Sequence, residues 1–158
     1  MSSVLFVCTG NICRSPFAAG LFRARCSELP DSWLVDSAGI HARPGLAPEP
    51  HAIALASEFG VDLSASRSRS FERADFTRYD NLVAMDRGHL DFLQAVRPRE
   101  FDGHIALLTD AHGNALEVPD PYGRPVRAYR TAARLIATGI AALLEDLGAE
   151  TGDRWLRR

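Results

Sequence analysis

Near the N-terminus, Val4-Leu5-Phe6-Val7-Cys8-Thr9-Gly10-Asn11-Ile12-Cys13-Arg14-Ser15-Pro16 restricts the fold more than any other stretch. The unbroken apolar run from Val4 to Val7 predicts a buried strand, which stops at Cys8, where small and turn-forming residues begin. Pro16 suits the first turn of a helix, and the Ala- and Leu-rich segment Phe17 to Cys26 continues it as an amphipathic helix. Strand, tight loop and helix in that order gather loop amides and the positive end of a helix dipole around one concavity, the physical recipe for holding an oxyanion. Cys8 falls at its base, where N–H donors and a guanidinium favour the thiolate over the thiol. Arg14 returns over the same concavity with a planar fork able to pair with two oxygens of a tetrahedral anion. Gly10 and Asn11 are residue types that tolerate left-handed backbone angles. A buried cysteine ending a strand usually serves as a small hydrophobe, and Cys followed by five residues and then Arg arises by chance. The full string with its flanking strand and helix is far more specific.

Composition narrows the chemistry. The 158 residues suffice for one domain with a real core, and 46% hydrophobic with 24% charged residues fits an ordinary globular chain. No run approaches the roughly 20 apolar residues of a membrane helix, and no signal-like N-terminus is present, so a cytoplasmic location without membrane insertion is expected. A net charge of −2 offers nucleic acid no general attraction. All 18 basic residues are arginine, which excludes a Walker-type lysine and Schiff-base chemistry. Three cysteines without a secretion signal argue against a disulfide scaffold, and the Cys8 to Cys13 spacing makes a poor zinc site, so no metal is expected.

Further along, Trp33-Leu34-Val35 predicts a second strand entering Asp36-Ser37-Ala38-Gly39, and parallel pairing with the first would set Ser37 beside the anion loop, although Ser-Ala-Gly is equally an ordinary turn. Ile40 to Pro50 reads as a loop rimming a pocket. His51 to Phe59 reads as a helix ended by Gly60. Arg67 and Arg69 sit among serines on what reads as a solvated polar face rather than a second anion site. Asp80 to Asp86 predicts a third strand. Arg87 to Val96 predicts a helix with Leu90, Leu93 and Val96 inward. Asp86 either emerges at the carboxyl edge of the sheet or caps that helix, the second being favoured. Ile105 to Leu108 is a short fourth strand, residues 111 to 125 a long polar connection with a turn at His112-Gly113-Asn114, and Ala128 to Leu147 a helix with a stripe of Ala132, Leu135, Ile136, Ile140, Leu143 and Leu147. The tail after Gly148 is expected to fray. In the connection, Asp120 stands between Pro119 and Pro121, so its backbone is stiff on both sides. That suits a general acid for a phenolate leaving group, and it also suits a plain turn.

The string Cys8 to Pro16 resembles the phosphate-binding loop of the low-molecular-weight protein tyrosine phosphatases, and the likeness continues through Ser37-Ala38-Gly39, Ala84-Met85-Asp86 and Pro119-Asp120-Pro121-Tyr122. The resemblance implies one three-layer α/β domain over residues 1–158, a four-stranded parallel sheet in the order 2-1-3-4 with helices on both faces. It implies Cys8 as nucleophile and Arg14 as phosphate clamp. Asp120 would be general acid and then base, with phosphate held by Thr9, Gly10, Asn11, Ile12, Cys13 and Ser15. Ser37 would support the loop through Asn11, and Ser66 would replace a histidine that buttresses it in many members. The substrate pocket would be Ile40, Leu46 and Tyr122, because the tryptophan many members carry in the 40–50 loop is missing. That departure resembles bacterial phosphatases acting on tyrosine kinases of exopolysaccharide export. The expected partner is therefore a phosphotyrosine protein such as a bacterial tyrosine kinase, with no cofactor and the chain acting as a monomer. Cys13 would trap an oxidised Cys8 as a reversible disulfide, while Cys26 packs. Three rivals stand beside this reading. Arsenate reduction lacks further downstream cysteines. Arginine dephosphorylation is disfavoured by Ile12 where that branch has threonine. A non-catalytic phosphopeptide module leaves both Cys8 and Asp120 without a purpose.

Overall fold

The computed structural model describes residues 1–29, 31–112 and 117–148. The turn expected at His112-Gly113-Asn114 lies largely, and the tail beyond Gly148 wholly, outside those residues. Strands β1 (Ser2–Cys8), β2 (Trp33–Gly39), β3 (Asn81–Ala84) and β4 (His104–Leu107) form one sheet in the order β2-β1-β3-β4, every pair parallel. The helices are α1 (Arg14–Arg25), α2 (Pro50–Glu58), α3 (Asp75–Arg78), α4 (Arg87–Val96) and α5 (Val126–Gly148). This is the expected doubly wound layout, and β1 is central in it, with all its residues buried. A strand covered on both faces has no need of polar alternation, which is why it reads as a continuous apolar run.

Side-chain alternation along β1 splits the core. Val4, Phe6 and Cys8 face the layer of α1, α2 and α5, while Leu5 and Val7 face the layer of α3 and α4. Cys8 thus leaves the sheet on the α1 side, directly before the turn into that helix. Helix α1 starts at Arg14, two residues before the expected first turn at Pro16, and its residues from Arg14 to Phe22 are all buried. It is not amphipathic over that span, because the sheet, α2 and α5 enclose it. On α4 the inward set is His89, Leu90, Phe92 and Leu93, and Val96 is 36% exposed at the fraying end. The stripe on α5 is as expected, extended by Tyr129, Ala133 and Gly139. Among the described residues no helix is long and apolar enough to cross a membrane.

Two backbone features fit the loop to the sheet. Asn11 has φ +57°, the left-handed conformation its side chain tolerates. A Cβ on Gly39 would lie 2.5 Å from the Thr9 carbonyl oxygen, so only glycine lets the end of β2 lie flush against the loop.

Candidate active site

The loop between β1 and α1 is held from behind. Ile40 N–H donates to the Cys8 carbonyl at 2.9 Å, His41 N–H to that of Thr9 at 2.9 Å, and Glu49 N–H to that of Ile12 at 2.8 Å. In a trans peptide the carbonyl and the following N–H point oppositely. Drawing these carbonyls toward the 40–49 loop therefore turns the N–H groups of Thr9, Gly10 and Cys13 toward the other side, where the concavity lies.

Asn11 is the internal brace. It is 2% exposed, and its Nδ2 donates to Ser15 Oγ and Ser37 Oγ, both at 2.8 Å. Its Oδ1 accepts the Arg69 backbone N–H at 2.9 Å. Ser15 Oγ, already accepting from Asn11, lies 2.9 Å from Cys8 Sγ and 3.5 Å from the Ala38 carbonyl, so its one proton has the sulfur as its nearer acceptor. Asn11 N–H reaches the same sulfur at 3.3 Å. Two donors therefore converge on Sγ.

Ser37 sits where parallel register predicts, paired with Phe6 of β1. The buttress expected from Ser66 comes instead from Arg69, three residues on. Nor is Arg69 on a solvated face: its Nε meets Asp36 Oδ2 at 3.0 Å, and its two terminal nitrogens bridge fully buried Asp75 at 3.0 and 3.2 Å. Burial alone would lower the guanidinium pKa, but hydrogen bonds and charge from Asp75, then Asp36, hold it above its ordinary value.

Arg14, at the first position of α1, is 2% exposed. Its Nη1 donates to Asp86 Oδ2 at 2.8 Å and to the Val118 carbonyl at 2.9 Å. Its Nη2 lies 3.4 Å from Thr9 Oγ1 and 3.6 Å from Asp120 Oδ2. One side of the fork is thus anchored and the other faces the site. Asp86 does both things open to it, since its Oδ1 also caps α4 by accepting His89 N–H at 3.0 Å. Its burial opposes ionisation, yet the His89 amide and Arg14 outweigh that and lower its pKa.

The connection to α5 is pinned on both flanks of Asp120. Val118 N–H donates to the Met85 carbonyl, and Asp120 Oδ1 accepts Tyr122 N–H at 3.1 Å, a local turn that aims the carboxyl. Asp120 is half exposed over a cavity of about 400 Å³. Cys8, Thr9, Gly10, Ile12, Cys13 and Arg14 form its floor, and His41, Arg43, Leu46, Asp120 and Tyr122 its rim. Leu46 and Tyr122 thus line it. Ile40 does not: the β2 ladder continues past Gly39 through Ile40 N–H to Cys8, so strand parity puts Ile40 on the face of Ala38, in the opposite core layer. Cys13 is buried, and desolvation, against a hydrogen bond from Tyr129, pushes its thiol up to about 12.

With that geometry in view, the family model for low molecular weight phosphotyrosine protein phosphatase matches residues 3–153. The chain belongs to this family. It is 41% identical over 156 residues to a low molecular weight protein-tyrosine-phosphatase of Streptomyces coelicolor, covering 90% of this chain and 93% of the relative. It is 35% identical over 147 residues to a protein-arginine-phosphatase of Geobacillus stearothermophilus, covering 93% and 97%. The solved structure of the tyrosine phosphatase Wzb from Escherichia coli K30 in complex with sulphate superposes with a TM-score of 0.84 at 30% identity, covering 93% of this chain and 99% of that one. The chain is thus a member of a phosphatase family whose relatives include tyrosine and arginine phosphatases.

Asp86 in its contact with Arg14, His89, Arg69, His41 and Arg43 were missed as site neighbours in the sequence. A buried histidine at the third position of a helix whose cap already faces the sheet edge was the one available signal.

Proposed function

We propose that this chain is a protein tyrosine phosphatase that hydrolyses aryl phosphate monoesters through a phosphorylated cysteine. The observation carrying the reading is convergence: two donors on Cys8 Sγ, inward amides from the loop and the free side of the Arg14 fork share one cavity with Asp120. Cys8 sulfur attacks phosphorus in line, forming the S–P bond as the P–O bond to the aryl oxygen breaks. Arg14 and the Thr9 to Ser15 amides carry the charge on the equatorial oxygens, and Asp120 gives its proton to the departing oxygen. Water then attacks the cysteinyl phosphate while Asp120 takes a proton from it, releasing inorganic phosphate, and Ser15 donates to the departing sulfur.

The apolar members of the cavity wall, Ile12, Leu46 and the Tyr122 ring, suit a flat aromatic group. Arginine dephosphorylation is the second reading, favoured by the Geobacillus relative, but Ile12 presents carbon where a guanidinium needs acceptors. We further take residues 1–158 as one catalytic domain working on phosphotyrosine proteins in the cytoplasm, a bacterial tyrosine kinase among them.

Purified protein should turn over p-nitrophenyl phosphate and a phosphotyrosine peptide, with Cys8→Ser inactive on both. Preference for phosphoarginine, or thiol-dependent arsenate reduction exceeding aryl phosphate turnover, would replace this reading.

A further inference from the structure

His89 is 2% exposed and lies beneath the phosphate-binding loop, between groups that the reading above uses. Its Nε2 is 2.8 Å from Thr9 Oγ1, the side chain that follows the nucleophile. Its Nδ1 is buried without a hydrogen bond of ordinary geometry, although Asp86 Oδ1 is only 3.1 Å away. Asp86 in turn holds Arg14 Nη1 at 2.8 Å through its other oxygen, and Arg14 Nη2 approaches Thr9 Oγ1 at 3.4 Å. The four side chains close a ring: Arg14, Thr9, His89, Asp86 and back to Arg14.

The proton positions follow from the chemistry of each atom. Arg14 is donor only, so Thr9 Oγ1 accepts from Nη2 and keeps its own hydrogen to give. That hydroxyl can meet either tautomer, so the other ring nitrogen decides: a proton on Nδ1 faces the Asp86 carboxylate and leaves Nε2 to accept from Thr9. The other tautomer would set a nitrogen lone pair 3.1 Å from a carboxylate oxygen, like facing like. A charged imidazolium fits less well. Burial and then Arg14 oppose it, Asp86 and more distantly Asp120 and Glu117 favour it, and the outcome is a pKa lowered to about 4.

We propose that His89, as the neutral Nδ1–H tautomer, is a positioning residue for phosphoryl transfer. It fixes the Thr9 hydroxyl and the Asp86 carboxylate so that the Arg14 fork stays aimed into the cavity. The proposal rests on the phosphatase reading for its consequence and on the ring geometry for its substance. The catalytic chemistry belongs to other groups; His89 touches no reacting atom. Because the Arg14 charge matters most when charge moves onto the equatorial oxygens, loosening it lowers kcat more than it raises KM.

The test is kinetics with p-nitrophenyl phosphate together with ¹⁵N histidine spectra of the full chain. His89→Ala should lose about tenfold in kcat with KM within about threefold, the scale of one buried polar contact left unmade. Thr9→Val should show a similar loss, Thr9→Ser should restore the rate, and the Thr9→Val/His89→Ala double variant should be no slower than the worse single one. In the wild type, His89 should give the Nδ1–H pattern at neutral pH, and Thr9→Val should shift the Nε2 resonance. A folded His89→Ala within twofold of wild type, multiplicative losses in the double variant, or an Nε2–H pattern would each overturn the proposal. The Thr9 variants and the wild-type spectra decide it even where His89→Ala fails to fold. A wild-type chain inert toward every aryl phosphate would defeat the phosphatase reading instead, and the spectra would still decide the state of His89.

Discussion

The cavity has two halves built on different principles. On the phosphate side, Asn11 and Arg14 are 2% exposed and each makes several hydrogen bonds to separate elements of the fold. On the rim, Leu46 is 44% and Tyr122 61% exposed, and the 40–50 loop is tied mainly through its backbone, Ser68 donating to the Arg43 carbonyl and accepting the Leu46 amide. A phosphate is the same tetrahedral anion in every substrate, so its site gains from being fixed before the ligand arrives. The group that carries it differs from one protein to the next, and an open rim accommodates that variety. On the proposed function, chemistry is assigned to the rigid half and selectivity to the loose one.

Substitutions should separate the halves. The largest effect is expected where they meet. Asp120→Asn should slow phenyl phosphate hydrolysis by about 10²- to 10³-fold while slowing an activated nitrophenyl ester far less. Equal losses for both esters would remove Asp120 from acid catalysis. Next, Asn11→Ala should destabilise the fold by about 2–4 kcal/mol in urea unfolding, because it strands Ser37 and the Arg69 amide and puts a left-handed φ on alanine. A loss below about 1 kcal/mol would mean the phosphate half is less fixed than its hydrogen bonds imply.

Acid should act on the same half. His89 is held neutral in the fold, with its pKa down at about 4 against an ordinary 6.5. The unfolded chain therefore takes up the proton first, and stability present above about pH 6.5 drains away as pH falls toward 4. Asp86, whose pKa is lowered in the fold, adds a further loss below the usual carboxylate range. Unfolding midpoints measured across that window should fall for the wild type and flatten between pH 6.5 and 4 in His89→Asn. The smallest effects belong to the rim: Leu46→Ala and Tyr122→Ala should change stability by less than about 0.5 kcal/mol and raise KM for a phosphotyrosine peptide about three- to fivefold, one partly exposed apolar contact each. Larger stability losses there would erase the contrast between the halves.

The same contrast governs what the sequence discloses. Strand β1, the loop and α1 are contiguous, so apolar run, turn residues and Pro16 report on one another locally. The start of α1 at Arg14 escaped because its cap, Cys13, makes no side-chain hydrogen bond and carries no signature. Ser37 was reachable through parallel register, whereas Ile40 was misplaced because nothing in its neighbours announces that the ladder runs on past Gly39. Arg69, Asp86 and His89 reach the loop across separations of 58, 72 and 80 residues, and although the edge position of Asp86 is legible in the sequence, its partner and those of Arg69 and His89 emerge only when the sheet assembles them.

The direct test is whether the phosphoryl group passes through sulfur. Asp120→Ala is mixed with p-nitrophenyl phosphate, whose activated leaving group departs with little help from an acid while hydrolysis lacks its base, then quenched with denaturant at mildly alkaline pH, digested and read by mass spectrometry. One phosphoryl group on Cys8, absent when Cys8→Ser is added to the same variant, is the expected result. Turnover of p-nitrophenyl phosphate by that variant with Cys8 unmodified in every quenched sample would contradict it.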